Sequence, residues 1–331
     1  MTAHPVAEPR IKAELAEPRV LPEAIWTAHA EDHRAGVAAF TAAHRARANN
    51  GERHPVWDFL FTYYSLRPRQ LMVWHPGYGT VLAGEAARRY LSRAGYTQTD
   101  TGVTVSAEYL RSRLDTVRFV SDLLRSTASR APRFGCFGMH EWAMVYRTGT
   151  VRHTAVPLRL GAADTDAVVE SIPLRCSHFD AFRFFTEPAM DRNQGRTTRQ
   201  SQSAWEQPGC LHANMDLYKW CYKLGPLVDS DLLLACLELA ARARALDMQA
   251  SPYDLAEFGF EPVAVEEPAG RAEYVRRQGE IAQQAAPLRA ALAKRCEELL
   301  DGNPALVASG APSELPATTD KINRLSRREE I

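Results

Sequence analysis

The sequence predicts a mainly α-helical protein, with one compact domain over residues 23–302 and a minor β element near residues 151–176. Apolar residues recur at three- and four-residue steps over segments of twenty or more residues, which is the spacing of one helix face. Strand-like composition is concentrated in VRHTAVPLRLGAADTDAVVESIPLRC (151–176), where prolines restrict it to short or edge strands. The chain has 331 residues, 45% of them hydrophobic, which is enough for a sizeable core.

The first elements are delimited by prolines and glycines. Residues 1–22 are predicted to be a flexible arm, because repeated Glu-Pro and Leu-Pro steps interrupt regular structure. A helix is then expected from Pro22 to Asn49, since apolar residues and histidines recur there at helical spacing. A short buried helix is predicted over 56–65, and another helix near 81–93.

The later elements follow the same logic. The polar stretch 96–106 is either a small hairpin or a plain loop. Ser106 is expected to cap the start of a helix, because apolar residues recur after it at three- and four-residue steps. Two more helices are separated by a Gly-Pro step at 225–226, and a long helix is expected from Pro268 to Asp301. The polar residues 303–331 are predicted to be a flexible tail.

Composition limits the class of protein. Forty basic and forty acidic residues balance, so no overall field draws the chain to nucleic acid or membrane, although a local basic patch stays open. The N-terminus lacks the apolar region of a secretory signal, and no run approaches the length of a spanning helix. Six scattered cysteines without a CxxC pair predict reduced thiols. We therefore expect a cytoplasmic protein with no membrane partner, and the oligomeric state stays open.

Three segments each place a histidine near a carboxylate among aromatic residues. They are GCFGMHEWAMVYR (135–147), RCSHFDAFRFF (175–185) and GCLHANMDLYKW (209–220). The pairs are His140 with Glu141, His178 with Asp180, and His212 with Asp216. Charged groups among apolar rings are costly unless they are paired or used. Each pair is therefore either a hydrogen-bonded core pair or part of a site.

Metal binding is one interpretation of these segments. Histidines with carboxylates are the ligand set of iron, manganese or zinc. The candidate ligands are His140, Glu141, His178, Asp180, His212 and Asp216. No local motif supports a metal, because Met144 stands where the HExxH motif requires its second histidine and no helical ExxH pair occurs. The interpretation depends on whether the segments meet in the fold.

A pocket for a flat ligand, such as a nucleobase, is the second interpretation. Aromatic side chains can hold a base by stacking, but at helical spacing they are also typical of a core. The neighbouring segment RNQGRTTRQSQSA (192–204) contains arginines and amides but no acid, which suits phosphate and base-edge contacts. The candidate substrate-binding residues are His140, Trp142, Tyr146, Phe179, Phe182, Arg192, Asn193, Arg196, Arg199, His212, Asn214 and Tyr218.

Three stretches carry a family resemblance over most of the chain. HPVWDFLFTYYSLRPRQLMVWHPG (54–77), CFGMHEWAMVYR (136–147) and the segment 174–220 resemble a group of actinobacterial proteins labelled 3-methyladenine DNA glycosylase. The resemblance implies a DNA-repair hydrolase that excises alkylated purines by cleaving the N-glycosidic bond, without a metal. Its partner would be damaged DNA or a nucleoside-like small molecule.

The chemistry of such an excision needs few groups. An alkylated base is already a good leaving group, so the enzyme needs an aromatic cage for the cationic ring and a carboxylate near the sugar. Asp180 with His178 is the first catalytic candidate, and Glu141 and Asp216 are the reserves. The chain lacks a helix-hairpin-helix pattern, so no catalytic residue is carried over by motif. Two alternatives remain: a metal-dependent oxidoreductase or hydrolase, and a non-catalytic nucleotide- or nucleic-acid-binding protein.

Overall fold

Helices dominate the part of the chain that the computed structural model describes, residues 19–149 and 156–301. The predicted mainly α class with a minor β element is confirmed. The α-helices of the described residues are α1 (Glu23–Asn49), α2 (Phe59–Thr62), α3 (Pro68–Leu71), α4 (Ala107–Ala128), α5 (Met139–Ala143), α6 (Ala162–Ser171), α7 (Phe179–Phe182), α8 (Glu187–Met190), α9 (Gln202–Trp205), α10 (Leu211–Leu224), α11 (Ser230–Gln249) and α12 (Pro268–Asp301). Short 3-10 helices are Glu85–Ser92, Gly225–Leu227 and Ala256–Phe258.

The core lies between four of the longer helices. Helix α10 packs against α11, and α12 lies against α4, α10 and α11. Nearly all residues of α10 are buried, including His212, Asp216 and Lys219. A helix that is buried all round must satisfy its polar side chains within the protein. Helix α10 therefore places charged groups inside the fold, where they need internal partners.

The minor β element is a four-stranded sheet at one end of the chain. Its strands are β1 (Arg19–Leu21), β2 (Thr80–Leu82), β3 (Tyr96–Thr99) and β4 (Gly102–Val105), in the order β1-β2-β4-β3. Strand β1 is parallel to β2, whereas β4 is antiparallel to both of its neighbours. The hairpin alternative for 96–106 is thus confirmed.

The predicted position of the β element, 151–176, is wrong for the residues that the structure describes. Residues 162–171 form α6, and only isolated bridges at Leu158 and Leu174 flank it. Thr165 and Val169, four residues apart, are the buried positions of this helix, so its β-branched residues line one helix face. Residues 151–155 of the segment lie outside the described residues.

Two further boundaries differ from the prediction. Residues 19–21 were assigned to the flexible arm but form β1, because they pair with β2 and bury Leu21. The rest of the arm, 1–18, and the predicted tail, 303–331, lie outside the described residues. The helix expected near 81–93 is instead strand β2 followed by the 3-10 helix Glu85–Ser92. Gly84, with a φ of 92°, makes the turn between them.

The long helix α12 was predicted with its observed bounds. One face of its 34 residues is buried, including Tyr274, Gln278 and Ile281, and this face covers α4, α10 and α11. Among the described residues, no helix combines the length and the apolar character that crossing a membrane requires.

Two glycines of α12 offer a matched test of its packing. A Cβ on Gly270 would lie 1.9 Å from the carbonyl oxygen of Ala264, whereas a Cβ on Gly279 would meet nothing within 4 Å. We expect Gly279→Ala to raise the free energy of unfolding by about 0.5–1 kcal/mol, because alanine has the higher helix propensity. Gly270→Ala should lower it, because the backbone at residue 264 must move. Urea unfolding followed by circular dichroism measures both, and effects of the same sign would contradict the described helix start.

Candidate functional site

The three histidine segments meet in the fold. His140 lies on α5, His212 on α10, and His178 directly precedes α7. The ring centroids of His140 and His212 are 4.5 Å apart with nearly perpendicular planes, and those of His178 and His212 are 5.3 Å apart. All three side chains are buried. Residues separated by more than seventy positions therefore form one polar cluster, with His212 in the middle.

A glycine positions the first of these histidines. Gly138 precedes α5 with a left-handed backbone, at a φ of 70°. A Cβ at this position would lie 3.1 Å from the Cβ of Ala250 and 3.4 Å from the ring of Tyr274. Glycine therefore allows α5 to approach the ends of α11 and α12, and the indole N–H of Trp142 secures the contact by donating to the Ala250 carbonyl at 2.8 Å.

His140, His212 and Asp247 form the first of two buried groups, here called the first group. Asp247 Oδ1 lies 2.8 Å from His140 Nε2, and Asp247 Oδ2 lies 3.9 Å from His212 Nε2. The ligand atoms of all three residues lie within 4.8 Å of one another. Although His140 Nε2 and Asp247 Oδ1 are close, neither has an aligned hydrogen-bond partner among the described residues. The contact is therefore a close ion pair whose ring N–H is poorly aligned with the carboxylate oxygen.

An arginine and a second carboxylate support this group. Arg244 donates to Asp247 Oδ2 and to Glu141 Oε1, both at 3.0 Å, and its guanidinium lies 4.0 Å from the ring centroid of Phe59. Arg244 is almost fully buried. Two carboxylates thus share one arginine, and the group retains one excess negative charge when both histidines are neutral.

The histidines of the first group differ in their pKa. Burial alone would lower the pKa of His140, but the charge of Asp247 outweighs it and raises the pKa. In His212 burial dominates, the neighbouring His140 adds to it, and the pKa is lowered to about 3. Burial alone would raise the pKa of Asp247, but the adjacent histidines, first His140, lower it well below its ordinary value. His212 is therefore neutral at pH 7, with a ring nitrogen available as an acceptor or ligand.

His178, Glu206 and Asp216 form the second group, which is also buried. His178 Nε2 lies 3.3 Å from Asp216 Oδ2 and 3.4 Å from Glu206 Oε1. The ammonium of Lys219 lies between the carboxylates of Asp216 and Asp180, at 2.7 and 2.8 Å. This group therefore already contains a cation bound to the same Asp216 oxygen that contacts His178.

The charges of the second group follow from these contacts. Burial alone would raise the pKa of Asp216, but Lys219 outweighs it and lowers the pKa to about 2. Burial alone would lower the pKa of His178, but the hydrogen bond to Asp216 raises it. Burial dominates in Glu206 and raises its pKa. The charges of Asp180 and Asp216 are balanced by Lys219, and the raised pKa of His178 favours its positively charged form beside them.

A cavity of about 750 Å³ opens beside the first group. His140 and His212 line it, and its wall also contains Arg133, Arg175 and Arg192. No carboxylate is among the described residues of this wall. The volume is that of a pocket for a small molecule. The two histidines of the first group therefore face the cavity, whereas no residue of the second group lines it.

Four of the predicted ligand-caging aromatic residues are largely buried in the core. Trp142 and Tyr218 are fully buried, and Phe182 packs against Phe185 with ring centroids 5.1 Å apart. Tyr146 is buried and donates its hydroxyl to Glu170 at 2.9 Å. Phe179 is only partly buried and lies under the guanidinium of Arg199, 5.3 Å away. None of these five lines the cavity. Four of them pack in the interior instead, as is typical of aromatic residues at helical spacing.

The loop candidates have mixed positions. Arg192 lines the cavity and donates to the carbonyl of Glu170 at 3.0 Å. Asn193 is committed to the backbone, because its amide accepts from Cys176 N at 2.8 Å and donates to Cys176 O at 3.0 Å. Arg196 forms a surface ion pair with Asp191, and Arg199 approaches Asp180 at 3.6 Å. Asn214, on α10, accepts a hydrogen bond from Arg289.

Two of the six proposed metal ligands, Glu141 and Asp180, lie in neither group. Glu141 pairs with Arg244, and Asp180 pairs with Lys219 at 2.8 Å. Each carboxylate is instead paired with a buried cation. Glu141 and Asp180 are therefore not grouped with His140 and His178, although they are close to them in the sequence.

The sequence analysis did not identify Asp247 and Glu206, which belong to the two groups, or Lys219, which pairs with Asp216 of the second group. Asp247 and Arg244 are three residues apart on α11, among the apolar residues of RARALDM. A charged pair on the apolar face of an amphipathic helix was the available signal, since such residues must find partners inside. Lys219 follows Asp216 by three positions and offered a similar signal. Glu206 had none, because it lies in an irregular segment after α9.

Comparisons with known proteins found no matching family model, no matching curated protein and no matching solved structure. The glycosylase resemblance therefore stays a prediction.

Proposed function

We propose that the protein is a metal-dependent enzyme, an oxidoreductase or a hydrolase, whose ion is bound by His140, His212 and Asp247. The observation that carries the proposal is the convergence of the ligand atoms of these three buried residues, which lie within 4.8 Å of one another beside the cavity. Two ligands at about 2.1 Å from one ion, at a right angle, lie about 3 Å apart. The three ligand atoms are therefore close enough to converge on one ion.

The ligand set supports an enzymatic ion over a purely structural one. Two histidines and one carboxylate with open positions are typical of non-haem iron and of catalytic zinc sites, and manganese accepts the same donors. Both histidines line the cavity, so the open positions would face a substrate. Such an ion supplies Lewis-acid activation of a substrate oxygen or of water. Arg244 would orient Asp247, which is the usual role of the residues behind a ligand.

The second group is the weaker candidate for an ion. Lys219 already binds the Asp216 oxygen that contacts His178, so an ion at this position would lie beside an ammonium. None of its three residues lines the cavity, whereas both histidines of the first group do. We infer that this group stabilises α7, α9 and α10 against one another and keeps His178 next to His212.

The N-glycosylase hypothesis stays an alternative prediction with less support. Its catalytic candidate, Asp180, is bound by Lys219 at 2.8 Å and does not line the cavity. The arginines of the cavity wall also suit an anion better than a cationic alkylated base. The cytoplasmic location is proposed on the six free thiols, which fit a reducing compartment.

The test is the metal content of the purified protein, measured by inductively coupled plasma mass spectrometry without chelators. We expect about one equivalent of iron, manganese or zinc in the wild type, and loss of most of it in His140→Ala. His29→Ala is the matched control, since His29 is exposed and stacks on Trp74. His178→Ala should retain the ion.

Two results would overturn the proposal. One is a wild type that takes up none of the three metals even after anaerobic reconstitution. The other is His140→Ala with the same metal content as the wild type. Release of methylated purines from alkylated DNA by the metal-free protein, lost in Asp180→Asn, would favour the glycosylase hypothesis instead.

A further inference from the structure

Three arginines surround the cavity that the first group faces. Arg133, Arg175 and Arg192 line it, and all three are exposed, so they lie toward solvent while the histidines are buried. No aspartate or glutamate of the described residues lines the same wall. The wall therefore has a strong local positive charge although the chain as a whole is neutral.

These arginines differ from others on the surface. Arg147 and Arg196 each have a carboxylate partner, in Glu170 and Asp191. Within the described part of the chain, Arg133, Arg175 and Arg192 form no ion pair, and Arg192 donates only to backbone carbonyls. Guanidinium groups bind carboxylate and phosphate through paired, charge-assisted hydrogen bonds. Arg133 and Arg175 therefore keep this capacity for a ligand, and Arg192 keeps part of it beside its two carbonyl contacts.

The backbone that carries Arg133 is fixed by a glutamine and a glycine. Gln207 Oε1 accepts from Arg133 N at 2.8 Å and from Gly209 N at 2.7 Å, and Gln207 Nε2 donates to Arg133 O at 3.2 Å. A Cβ on Gly209 would lie 2.7 Å from Arg133 O, so only glycine fits against this turn. Gln207 itself lines the cavity. The backbone position of Arg133 is thus set before any ligand binds.

A second clamp joins the segments that carry the other two arginines. The Asn193 side chain bonds both the N–H and the carbonyl of Cys176, and Gln194 N donates to Leu174 O at 3.0 Å. These contacts hold residues 174–176 beside residues 193–194. Arg175 and Arg192 therefore come to the same wall from two segments that are tied together, which is the preorganisation that lowers the cost of binding.

We propose that the cavity binds a small organic anion by its phosphate or carboxylate group, at Arg133, Arg175 and Arg192. The remainder of the molecule extends to His140 and His212. The inference rests on the proposed function, because it makes this anion the substrate of the metal-dependent reaction. A volume of about 750 Å³ accommodates one small molecule of nucleotide size or less. A neutral chain with one local basic wall suits such a ligand better than long DNA, which requires many phosphate contacts.

The experiment measures anion binding in protein stripped of metal with a chelator, by isothermal titration calorimetry. The probes are inorganic phosphate, citrate and adenosine monophosphate, with a short DNA duplex as the nucleic-acid arm. We expect at least one small anion to bind, and its affinity to fall about tenfold or more in Arg175→Gln and in Arg133→Gln. Arg196→Gln is the matched control, because Arg196 lies on the same loop as Arg192 but does not line the cavity.

Each outcome decides the inference. Preference for phosphate and the nucleotide, or for citrate, identifies the anionic group. No small-anion binding at millimolar concentration, or equal binding by wild type and both cavity variants, overturns it. Binding of the duplex alone also overturns it and favours a nucleic-acid ligand. Because the protein is metal-free in this assay, loss of anion binding and failure of the metal proposal are observed separately.

Discussion

Asp247→Asn is expected to lower the affinity for the proposed ion by about 100-fold or more, with the fold preserved. The substitution keeps the shape of the side chain but removes the negative charge that faces His140 and His212. The remaining amide oxygen can still accept from Arg244, and Arg244 keeps Glu141 as a charged partner at 3.0 Å. The rise in stability with metal, and not the stability itself, therefore reports ion binding in this variant.

The measurement is the melting temperature as a function of metal concentration, together with competition against a chelator. An ion that binds only the folded state adds about 2.7 kcal/mol of stability at 100 times its Kd. The wild type should show this rise, and Asp247→Asn should not show it at the same concentrations. In the absence of metal, Asp247→Asn should melt below the wild type, because the charge of Asp247 is stabilised in the folded state; the comparison is therefore of the metal-dependent rise in each protein.

Glu206→Gln is the matched control for this prediction. Burial raises the pKa of Glu206, and Gln202 Nε2 donates to it at 2.5 Å. Glutamine therefore resembles the protonated form, and the substitution removes a carboxylate from the second group without touching the first. Retained metal affinity in this variant is expected. The reverse pattern, with affinity lost in Glu206→Gln and kept in Asp247→Asn, would assign the ion to the second group.

The sequence predicted the helices well because each long helix covers a continuous apolar face. The bounds of α1, α4 and α12 follow from periodicity and caps within a few residues. The β element was placed in the wrong segment, because the β-branched residues Thr165 and Val169 serve the buried face of α6. Its actual strands are only three or four residues long, and a length of three residues contains too little alternation to detect.

The site was predicted in part for a similar reason. His140, His178 and His212 were identified from local composition, and they do come together. Which carboxylate each histidine faces depends on how α5, α10 and α11 are oriented, and this is a long-range property. His212 and Asp216 share a face of α10, as their spacing predicts. They nevertheless belong to different groups, because His212 meets His140 and Asp247 whereas Asp216 meets His178 and Glu206.

Lys219→Met is expected to lower the free energy of unfolding by about 3–5 kcal/mol at pH 7. Lys219 is the ion-pair partner shared by Asp180 and Asp216, and its side chain is only 11% exposed. Arg183 and Arg199 also approach Asp180, at 3.4 and 3.6 Å. For Asp216, His178 would be the only other cation within 4 Å among the described residues, so a buried carboxylate loses most of its compensation.

Lys223→Met is the control within the same helix. Lys223 is one turn further along α10, is partly exposed, and lies 5.5 Å from the ring centroid of Trp220 without a carboxylate within 4 Å among the described residues. Its substitution should change the free energy of unfolding by less than about 1 kcal/mol. The double variant Lys219→Met with Asp216→Asn should recover part of the loss, because it no longer buries that unpaired charge.

The pH dependence of the free energy of unfolding shows whether Lys219→Met destabilises the protein through the lost charge. In the wild type the pKa of Asp216 is lowered from 3.8 to about 2, so this carboxylate contributes stability above pH 3.8 and loses it as the pH falls through about 2. Without Lys219, burial raises the pKa of the same group, and protonation then relieves the unpaired charge. Urea unfolding at pH 7 and pH 4 should therefore give a smaller difference between wild type and Lys219→Met at the lower pH. A difference that does not change with pH would mean that the lysine stabilises the core through the packing of its apolar stem and not through its charge.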